Sequence, residues 1–325
     1  MTAASPLTKP HVWVEIIRDT LAHLENKMRL SSQMGNHSLD AAVDLLILAG
    51  GKRIRPAITL LTGEVMNAMV DNVVSVAASV ELLHTATLVH DDLIDGAAER
   101  RGVPTLHSHL PAGITVLTGD FLFARSAALA AESDNVRVVR VFAETLVRIC
   151  RGEILQAQTR WKIPTYEIYI DRIYGKTAAL FEAASTSSAI LGGASEAQID
   201  AMARYGHDLG LAFQIMDDAL DFVSTTQQLG KPAGNDMCQG IYNLPLMYFA
   251  EQGKITEAAL NERVRGNLNI EGLLEDIRRA HVVEQSLDVA RDYARQAAAA
   301  LDIMPQGEQV EALRALAQYA VAREF

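Results

Sequence analysis

The sequence predicts an all-α fold, a single large helical bundle with a central cavity between facing helices. Proline is absent from three long stretches, which run between Pro111 and Pro164, between Pro164 and Pro232, and between Pro245 and Pro305. Because proline breaks helices, these stretches leave room for helices of many turns. Apolar residues recur at helical spacing over most of the chain, and no segment stands out for the alternation of a strand.

The N-terminal half predicts three helices. Residues 11–31 place apolar side chains at helical spacing with charged ones between them, which is typical of an amphipathic helix. Residues 39–48 predict a second helix, which ends at Gly50 and Gly51 because paired glycines stop helices, and a basic turn follows. Residues 73–94 are apolar on most faces, so we expect this helix to be enclosed on all sides.

The remainder of the chain predicts further helices separated by short loops. Residues 99–107 are polar and contain proline, which indicates a loop, and residues 230–234 indicate another. The predicted helices are a segment after Gly119 and Asp120 that runs to residue 131, then residues 136–158, 166–191, 196–223, 244–251, 256–264, 270–281 and 282–321. We find no internal repeat and no clear linker, so residues 1–325 are predicted to form one domain.

Composition and charge exclude several classes of protein. The chain has 325 residues, 49% of them hydrophobic and 21% charged, which fits a globular protein. Its net charge of −11 disfavours binding to nucleic acid or to an anionic membrane. Two cysteines form no disulfide framework, and the N-terminus lacks a basic start with an apolar segment, so we expect a cytoplasmic location. Apolar runs stop short of about 18 residues, which predicts no stable membrane span.

Two acidic clusters give the strongest functional signal. They are Asp91, Asp92 and Asp95 in the first cluster, and Asp217, Asp218 and Asp221 in the second. Residues four apart share a helix face, so each cluster presents neighbouring carboxylates within apolar sequence. Such like charges raise one another's pKa unless a cation neutralises them, and ligands that are all oxygen suit Mg²⁺. The sequence therefore predicts that the two clusters bind metal ions shared with a diphosphate. The alternative is that these aspartates serve as helix caps or lie on solvated helix faces.

Basic residues follow Gly50 and Gly51, and others follow the first acidic cluster. Lys52, Arg53 and Arg55 follow the glycine pair, and Arg100 and Arg101 follow the first cluster, all on predicted loops. A single lysine or arginine is more often ordinary surface charge. Next to the acidic clusters, however, these residues fit direct contacts to a second diphosphate.

Four polar residues inside predicted helices are weaker candidates. His84 lies in a nearly apolar stretch, where a lone histidine is more often a core residue than a ligand. Gly175 interrupts a helix at a cost of about 1 kcal/mol relative to alanine, which predicts a break that exposes Lys176 and Thr177. Gln214 precedes the second cluster by three residues, and its alternative role is a polar contact between helices.

Six sequence blocks occur in order between about residues 40 and 250. They read GGKRIRP, HTATLVHDDLIDGAAERRG, GDFLFAR, GKTAALFEA, FQIMDDALDF and GKPAGND. In order and spacing the chain resembles the trans-type polyprenyl diphosphate synthases. This resemblance implies the isoprenoid synthase fold, a homodimer and a head-to-tail condensation. In that reaction an allylic diphosphate ionises to a carbocation, isopentenyl diphosphate attacks through its double bond, and a proton is lost.

The resemblance also implies residue roles. All six aspartates would hold Mg²⁺ that bridges to the allylic diphosphate, and Asp91, Asp92, Asp95, Asp217, Asp218 and Lys176 would be catalytic. The residues that would bind isopentenyl diphosphate are Lys52, Arg55, His84 and Arg101. Those that would hold the allylic substrate are Arg100, Lys176, Thr177, Gln214 and Lys231. Gly51 would let the backbone approach a phosphate. Many relatives carry another lysine ten residues after the one matching Lys231, where this chain has Ile241.

The resemblance bears on product length too. In this family a bulky aromatic residue four or five positions before the first aspartate blocks chain growth, and here those positions are Thr87 and Ala86. Small side chains there leave the path open toward Leu83, Leu82 and Val80. We therefore predict a product longer than farnesyl diphosphate.

Other interpretations of the sequence remain open. A synthase with a geranylgeranyl- or farnesyl-length product, and a subunit that needs a partner in a heteromeric synthase, both fit the motifs. A class I terpene cyclase fits less well, because such enzymes usually pair one aspartate-rich motif with an Asn/Ser/Glu motif. A purely structural role for the acidic clusters predicts no stabilisation by Mg²⁺ and diphosphate.

Overall fold

The computed structural model describes residues 12–48, 53–100, 102–223 and 233–322. Helices dominate these residues, as predicted, and pack side by side. In chain order the elements are α1 (Val12–Ile16), α2 (Arg18–Ser31), α3 (His37–Leu48), α4 (Ile54–Val65), α5 (Val70–Asp95), β1 (Glu99–Arg100), β2 (Val103–Pro104), α6 (Ala112–Ala131), α7 (Val136–Thr159), α8 (Tyr166–Ile173), α9 (Ala179–Leu191), α10 (Glu196–Leu220), α11 (Asn235–Cys238), α12 (Leu244–Glu251), α13 (Glu257–Arg265), α14 (Ile270–Arg279), α15 (Val282–Ala300) and α16 (Glu308–Val321).

Helix α5 is the central element of the first half of the chain. It packs along α6 and also contacts α2, α4 and α9, so almost all of its apolar side chains are buried. This enclosure confirms the prediction from its apolar composition. The helix ends at Asp95, because Gly96 adopts a left-handed conformation with φ of 65° that ends helices readily. The first acidic cluster therefore occupies the last turns of a helix whose position is fixed by packing.

Helix α10 approaches α9 closely along a stripe of glycines. A Cβ atom on Gly210 would lie 2.4 Å from the Cα atom of Ala178, and one on Gly206 would lie 2.5 Å from a backbone carbonyl oxygen of α9. Gln214 and Asp218 follow on the same face, one and two turns further along. The absence of side chains at the two glycines thus lets α10 lie close to residues 178–182, and it places Gln214 and Asp218 beside Thr177 and Tyr169.

The predicted break at Gly175 is present as a turn of π-helix. The segment Tyr174–Ala178 joins α8 to α9 with wider backbone hydrogen bonding than an α-helix. Gly175 packs against Gly152 of α7, and a Cβ atom on Gly152 would lie 2.8 Å from the backbone nitrogen of Lys176. Two facing glycines therefore let α7 support the turn that carries Lys176 and Thr177.

Several predicted boundaries are wrong in detail. In the described part of the predicted helix 11–31 there are two helices, which meet at Ile17. Residues 282–321 are interrupted by a 3₁₀ turn at Leu301–Ile303 and by Pro305, which cannot continue a helix. The predicted loop at residues 99–107 contains a two-residue antiparallel ladder, β1 with β2. Arg55, predicted to lie on a loop, is in the first turn of α4. Helical periodicity locates elements well but not their ends.

Two clusters of buried apolar residues form the core. The first is built from the helices up to α7, with α9, the beginning of α10 and α16. The second is built from α8, the end of α10 and the segments from α11 to α15. Helix α10 connects the two apolar clusters, because its first part belongs to one and its last part to the other. The second acidic cluster lies at the end of α10, in the part that belongs to the second apolar cluster.

Two described helices are long and apolar enough to cross a membrane by length and composition alone. These are α5, with 78% of its most apolar window buried, and α6, with 39% of it buried. The sequence prediction considered uninterrupted apolar runs and therefore did not single out these two helices. An isolated polar residue interrupts such a run but lowers the mean hydropathy of the window only slightly. The burial of α5 is that of a core helix, whereas α6 keeps an exposed face.

The glycine stripe of α10 generates a stability prediction. Gly210→Ala should lower the free energy of unfolding by about 1–3 kcal/mol, because the added methyl group overlaps backbone that cannot move away cheaply. Gly113→Ala is the matched control, since Gly113 lies in α6 and a methyl group added there would meet nothing within 4 Å. Alanine at that position should gain about 0.5–1 kcal/mol of helix propensity. Denaturant unfolding of both variants measures the difference. Equal effects of the two substitutions would contradict the close approach.

Candidate active site

A cavity of about 410 Å³ separates the two acidic clusters. Its walls come from α4, α5, β1, α7, α8, the π turn, α10, and α11 with the residues just after it. The lining residues are Arg55, His84, Thr87, Leu88, Asp91, Asp95, Arg100, Gln156, Arg172, Ile173, Lys176, Thr177, Phe213, Gln214, Asp217, Asp218, Asn235, Asp236, Gln239 and Ile241. The structure thus brings most of the predicted site residues of the described chain to one cavity.

The first acidic cluster divides into two environments. Asp91 and Asp95 line the cavity, and burial raises the pKa of Asp91 to about 6, partly offset by the nearby Lys176 ammonium. Asp92 is buried instead, and its Oδ1 atom accepts hydrogen bonds from Nε and Nη2 of Arg100 at 2.8 and 2.7 Å. Arg100 therefore holds the end of α5 through Asp92 while it also lines the cavity.

Lys176 reaches the cavity from the π turn. Its Nζ atom lies 3.1 Å from Oε1 of Glu153, which projects from α7. Burial alone would lower the pKa of Lys176, but the carboxylates of Glu153 and Asp91 outweigh it and the pKa is raised. The lysine therefore stays protonated and supplies a fixed positive charge beside the first acidic cluster.

A chain of hydrogen bonds orients Asp218 in the second cluster. The Tyr169 hydroxyl donates to Oδ2 of Asp218 at 2.8 Å, and Nε2 of Gln214 donates to Oδ1 at 2.7 Å. Thr177 in turn donates to Oε1 of Gln214 at 2.6 Å. Gln214 is thus a contact between helices and also a link between Thr177 and the second cluster.

The carboxylates of the second cluster have raised pKa values. Burial, with repulsion from Asp236, raises the pKa of Asp218 to about 7, although Arg172 and the hydrogen bonds to the carboxylate oppose the rise. Burial and Asp236 raise the pKa of Asp221 as well. Asp221 lies at the end of α10, where its Oδ2 atom accepts a hydrogen bond from the backbone nitrogen of Asp236 at 3.2 Å. Asp217 lines the cavity directly.

A basic wall, formed by Arg55 and His84 and partly apolar, makes up another part of the cavity lining. Arg55 lies in the first turn of α4, and its guanidinium carbon is 4.6 Å from the ring centre of Phe181. His84 and Thr87 line the same wall from α5. Ala86 does not line the cavity and is fully buried in the first apolar cluster. Of the two predicted length-determining positions, Thr87 is the one that borders the cavity.

Four predicted site residues lie outside the described residues. They are Gly51, Lys52, Arg101 and Lys231. Their roles stay predictions of the sequence.

The residues around the cavity that sequence reasoning missed include four ionisable side chains. Tyr169 and Arg172 precede Lys176 by two turns and one turn, and Arg172 lines the cavity while its Nη2 atom donates to the carbonyl of Tyr242 at 2.8 Å. Glu153 pairs with Lys176 from another helix, and Asp236 faces the second cluster from beyond α10. Only Asp236 lay in a recognised block, GKPAGND; the others come from helices whose contact with the cavity depends on tertiary packing.

The donor set fits a hard cation such as Mg²⁺. The acidic side chains supply only oxygen, and burial raises the pKa of Asp91, Asp218 and Asp221, so a cation would favour their ionised form. Among the described residues, no three side chains of His, Cys, Asp or Glu stand close enough to enclose a metal by themselves. A metal here would therefore need further oxygen ligands, such as water or a diphosphate.

A second hollow, of about 400 Å³, lies between α7 and the segment of α8 and the π turn, and it borders Arg148, Arg151 and Ile154. Asp171 is the one carboxylate among its described lining residues. It therefore lacks the paired carboxylates of the central cavity.

Comparison with known proteins agrees with this geometry. The family model described as polyprenyl synthetase matches residues 36–278. Among curated proteins, the chain is 36% identical to "Heptaprenyl diphosphate synthase component 2" of Geobacillus stearothermophilus, covering 95% of this chain and 97% of that protein. It is 34% identical to octaprenyl diphosphate synthase of Escherichia coli, covering 94% and 93%. A solved polyprenyl synthase from Caulobacter crescentus, complexed with calcium and isoprenyl diphosphate, superimposes with a TM-score of 0.90 at 35% identity, covering 98% and 99%. The chain belongs to the polyprenyl synthetase family.

Proposed function

We propose that this protein is a Mg²⁺-dependent trans-prenyltransferase that condenses isopentenyl diphosphate with an allylic diphosphate to make a polyprenyl diphosphate. The observation that carries the proposal is the cavity in which two clusters of incompletely neutralised carboxylates face arginine, lysine and histidine side chains. Family membership and the names of the relatives support the same reaction.

The reaction breaks the allylic C–O bond, so that an allylic carbocation and pyrophosphate form. The double bond of isopentenyl diphosphate then attacks the cation, and loss of a proton from the product leaves a new trans double bond. Lys176 and Arg100 lie beside the first acidic cluster, where their positive charges would stabilise the departing diphosphate. Thr177 and Gln214 would orient it, since their hydrogen-bond chain already fixes both side chains.

The metal site would use Asp91, Asp95 and Asp217, which line the cavity, with Asp218 oriented beside them. Asp92 and Asp221 complete the two clusters through Arg100 and the backbone of Asp236. When bound, Mg²⁺ supplies positive charge that neutralises these carboxylates and stabilises the leaving diphosphate. The calcium in the similar Caulobacter structure supports a divalent cation, and the oxygen donors favour Mg²⁺.

Isopentenyl diphosphate would bind on the basic wall. Arg55 and His84 line it from α4 and α5. Lys52 and Arg101 would add charge there, as the family resemblance implies. Two diphosphates would then occupy one cavity, one on carboxylate-bound metal and one on cationic side chains.

Product length would exceed that of farnesyl diphosphate. Thr87 is the small side chain that borders the cavity one turn before Asp91, and no bulky aromatic residue stands at that position. The relatives named heptaprenyl and octaprenyl synthases agree with a long product. A geranylgeranyl-length product is the alternative, and sizing the products decides between the two.

The active form would be a homodimer of single-domain chains. Helices α6 and α7 expose apolar side chains along one side: Leu117 is 63% exposed, Val147 is 58% exposed and Ile154 is 57% exposed. Along α7 these positions continue at helical spacing through Val136 and Val139. An apolar stripe of this length is typical of a helix interface. Both cysteines are exposed free thiols, which fits the proposed cytoplasmic location.

The function and product length are tested together. Purified protein with Mg²⁺, labelled isopentenyl diphosphate and farnesyl diphosphate should give products longer than the primer, sized by chromatography. Thr87→Phe should shorten them, because the ring fills the cavity wall, whereas Thr87→Val, which keeps the volume, should leave their length unchanged. Absence of any extension, restored by a second polypeptide, would favour the heteromeric subunit instead.

The raised pKa of Asp218 predicts a pH dependence of stability. Its pKa rises from 3.8 to about 7 on folding, so ionisation is less favourable in the folded protein. Relative to Asp218→Asn in EDTA, the wild type should be most stable below about pH 4 and lose stability as the pH rises to about 7. Mg²⁺ with diphosphate at a pH of about 7.5 should raise the wild-type Tm by several degrees and that of the variant less. Parallel pH profiles of the two proteins would contradict the assignment.

A charged substitution in the exposed apolar stripe of α6 and α7 tests the homodimer. Val147→Glu should give monomers in sedimentation velocity, because a carboxylate would be buried without a partner. Leu268→Glu is the matched control, since Leu268 is similarly apolar and exposed but lies far along the chain from α6 and α7, and it should stay dimeric. Monomeric wild-type protein would rule out the homodimer.

A further inference from the structure

Arg53 and Glu81 form an almost fully enclosed ion pair, and neither has a role in the binding proposed above. Nη1 of Arg53 donates to Oε1 of Glu81 at 2.9 Å, and the side chains are only 10% and 8% exposed. Surface ion pairs contribute little to stability, but a buried pair needs good geometry and further hydrogen bonds to offset the loss of water. Because both side chains are enclosed, this pair is expected to have a structural role that an exposed ion pair would not have.

The Arg53 side chain joins several helices at once. Its Nη2 atom donates to the carbonyl oxygen of Ile47 in α3 at 2.5 Å, and its Nε atom lies 3.4 Å from Oε1 of Glu25 in α2. Glu81 adds α5. The backbone of Arg53 has φ of 50°, a left-handed conformation uncommon for a residue with a side chain, directly before the first residue of α4. The beginning of α4 is thus held against α2, α3 and α5 by one guanidinium group.

Arg53 and Glu81 are each close in sequence to a residue of the basic wall. Arg55 follows Arg53 by two residues in the first turn of α4. His84 follows Glu81 by three residues, so the two side chains neighbour each other on α5. The pair therefore fixes the distance between the backbone that carries Arg55 and the backbone that carries His84.

We propose that Arg53 and Glu81 are positioning residues that hold Arg55 and His84 at the spacing needed for one diphosphate, the one on the basic wall. This inference rests on the proposed function for the identity of that ligand, isopentenyl diphosphate. The pair acts through Arg55 and His84, so its loss selectively weakens the basic wall. The ion pair of Lys176 and the hydrogen bonds to Asp218 do not involve Arg53 or Glu81, so we expect binding at these carboxylates to change less.

Steady-state kinetics with both substrates tests the proposal. Glu81→Gln should raise KM for isopentenyl diphosphate about tenfold or more while KM for the allylic substrate changes less than about threefold. Glu196→Gln is the matched control: it removes the exposed pair with Arg137, between α7 and α10, and should change neither constant. Unchanged KM for isopentenyl diphosphate in folded Glu81→Gln, or equal rises of both constants, would overturn the proposal.

A second variant separates positioning from stability. Arg53→Met with Glu81→Met replaces the pair by apolar side chains of similar length, which commonly preserves folding when both charges are removed together. It should keep a Tm near that of the wild type and still show the raised KM for isopentenyl diphosphate. A wild-type KM in this folded double variant would show that the pair serves stability alone.

Direct binding keeps this test independent of turnover. Calorimetry with isopentenyl diphosphate in EDTA should show about tenfold weaker binding to Glu81→Gln than to the wild type. Equal affinities would overturn the positioning role even in an active enzyme. A wild type that binds isopentenyl diphosphate in this way but extends no primer would contradict the proposed function and not the positioning role.

Discussion

Carboxylates held out of water on two facing helices are the constraint on which the site depends. Burial is the largest cause of the raised pKa of Asp91, Asp218 and Asp221, because the interior stabilises the charged form less than water does. The protein offsets part of this loss of hydration with the Lys176 ammonium and with the hydrogen-bond donors to Asp218. In the proposed function a divalent cation, and with it a diphosphate, would compensate the remaining negative charge.

Close backbone packing makes that arrangement possible. Gly206 and Gly210 let α10 approach α9, and Gly152 and Gly175 let α7 support the π turn. These contacts fix backbone rather than flexible side chains, so Lys176, Thr177 and Gln214 are presented from positions that hardly adjust. A preorganised cavity of this kind is suited to stabilising charge that develops during a reaction. The same rigidity explains why small additions at the glycines are expected to be costly.

The two sides of the cavity are built differently. The carboxylate side depends on helix packing and on a hydrogen-bond chain from Thr177 to Tyr169. The basic side depends on the start of α4, which is held by the Arg53 guanidinium. This division fits the proposed binding of two diphosphates, because carboxylates and cationic side chains are supplied by different contacts.

The sequence by itself determined the fold class, the helix that carries the first acidic cluster, the break at Gly175 and the residues of both clusters. These features are local, since helical periodicity, a glycine inside a helix and the spacing of aspartates are all visible within one segment. Only the tertiary structure decided that Asp92 pairs with Arg100 while Asp91 faces the cavity, and that Thr87 borders it while Ala86 is buried. It also decided the contacts of Glu153, Tyr169 and Arg172, which reach the site from helices with no motif of their own. Which of two neighbouring side chains faces a cavity depends on how helices rotate against one another, and that rotation is set by packing between distant parts of the chain.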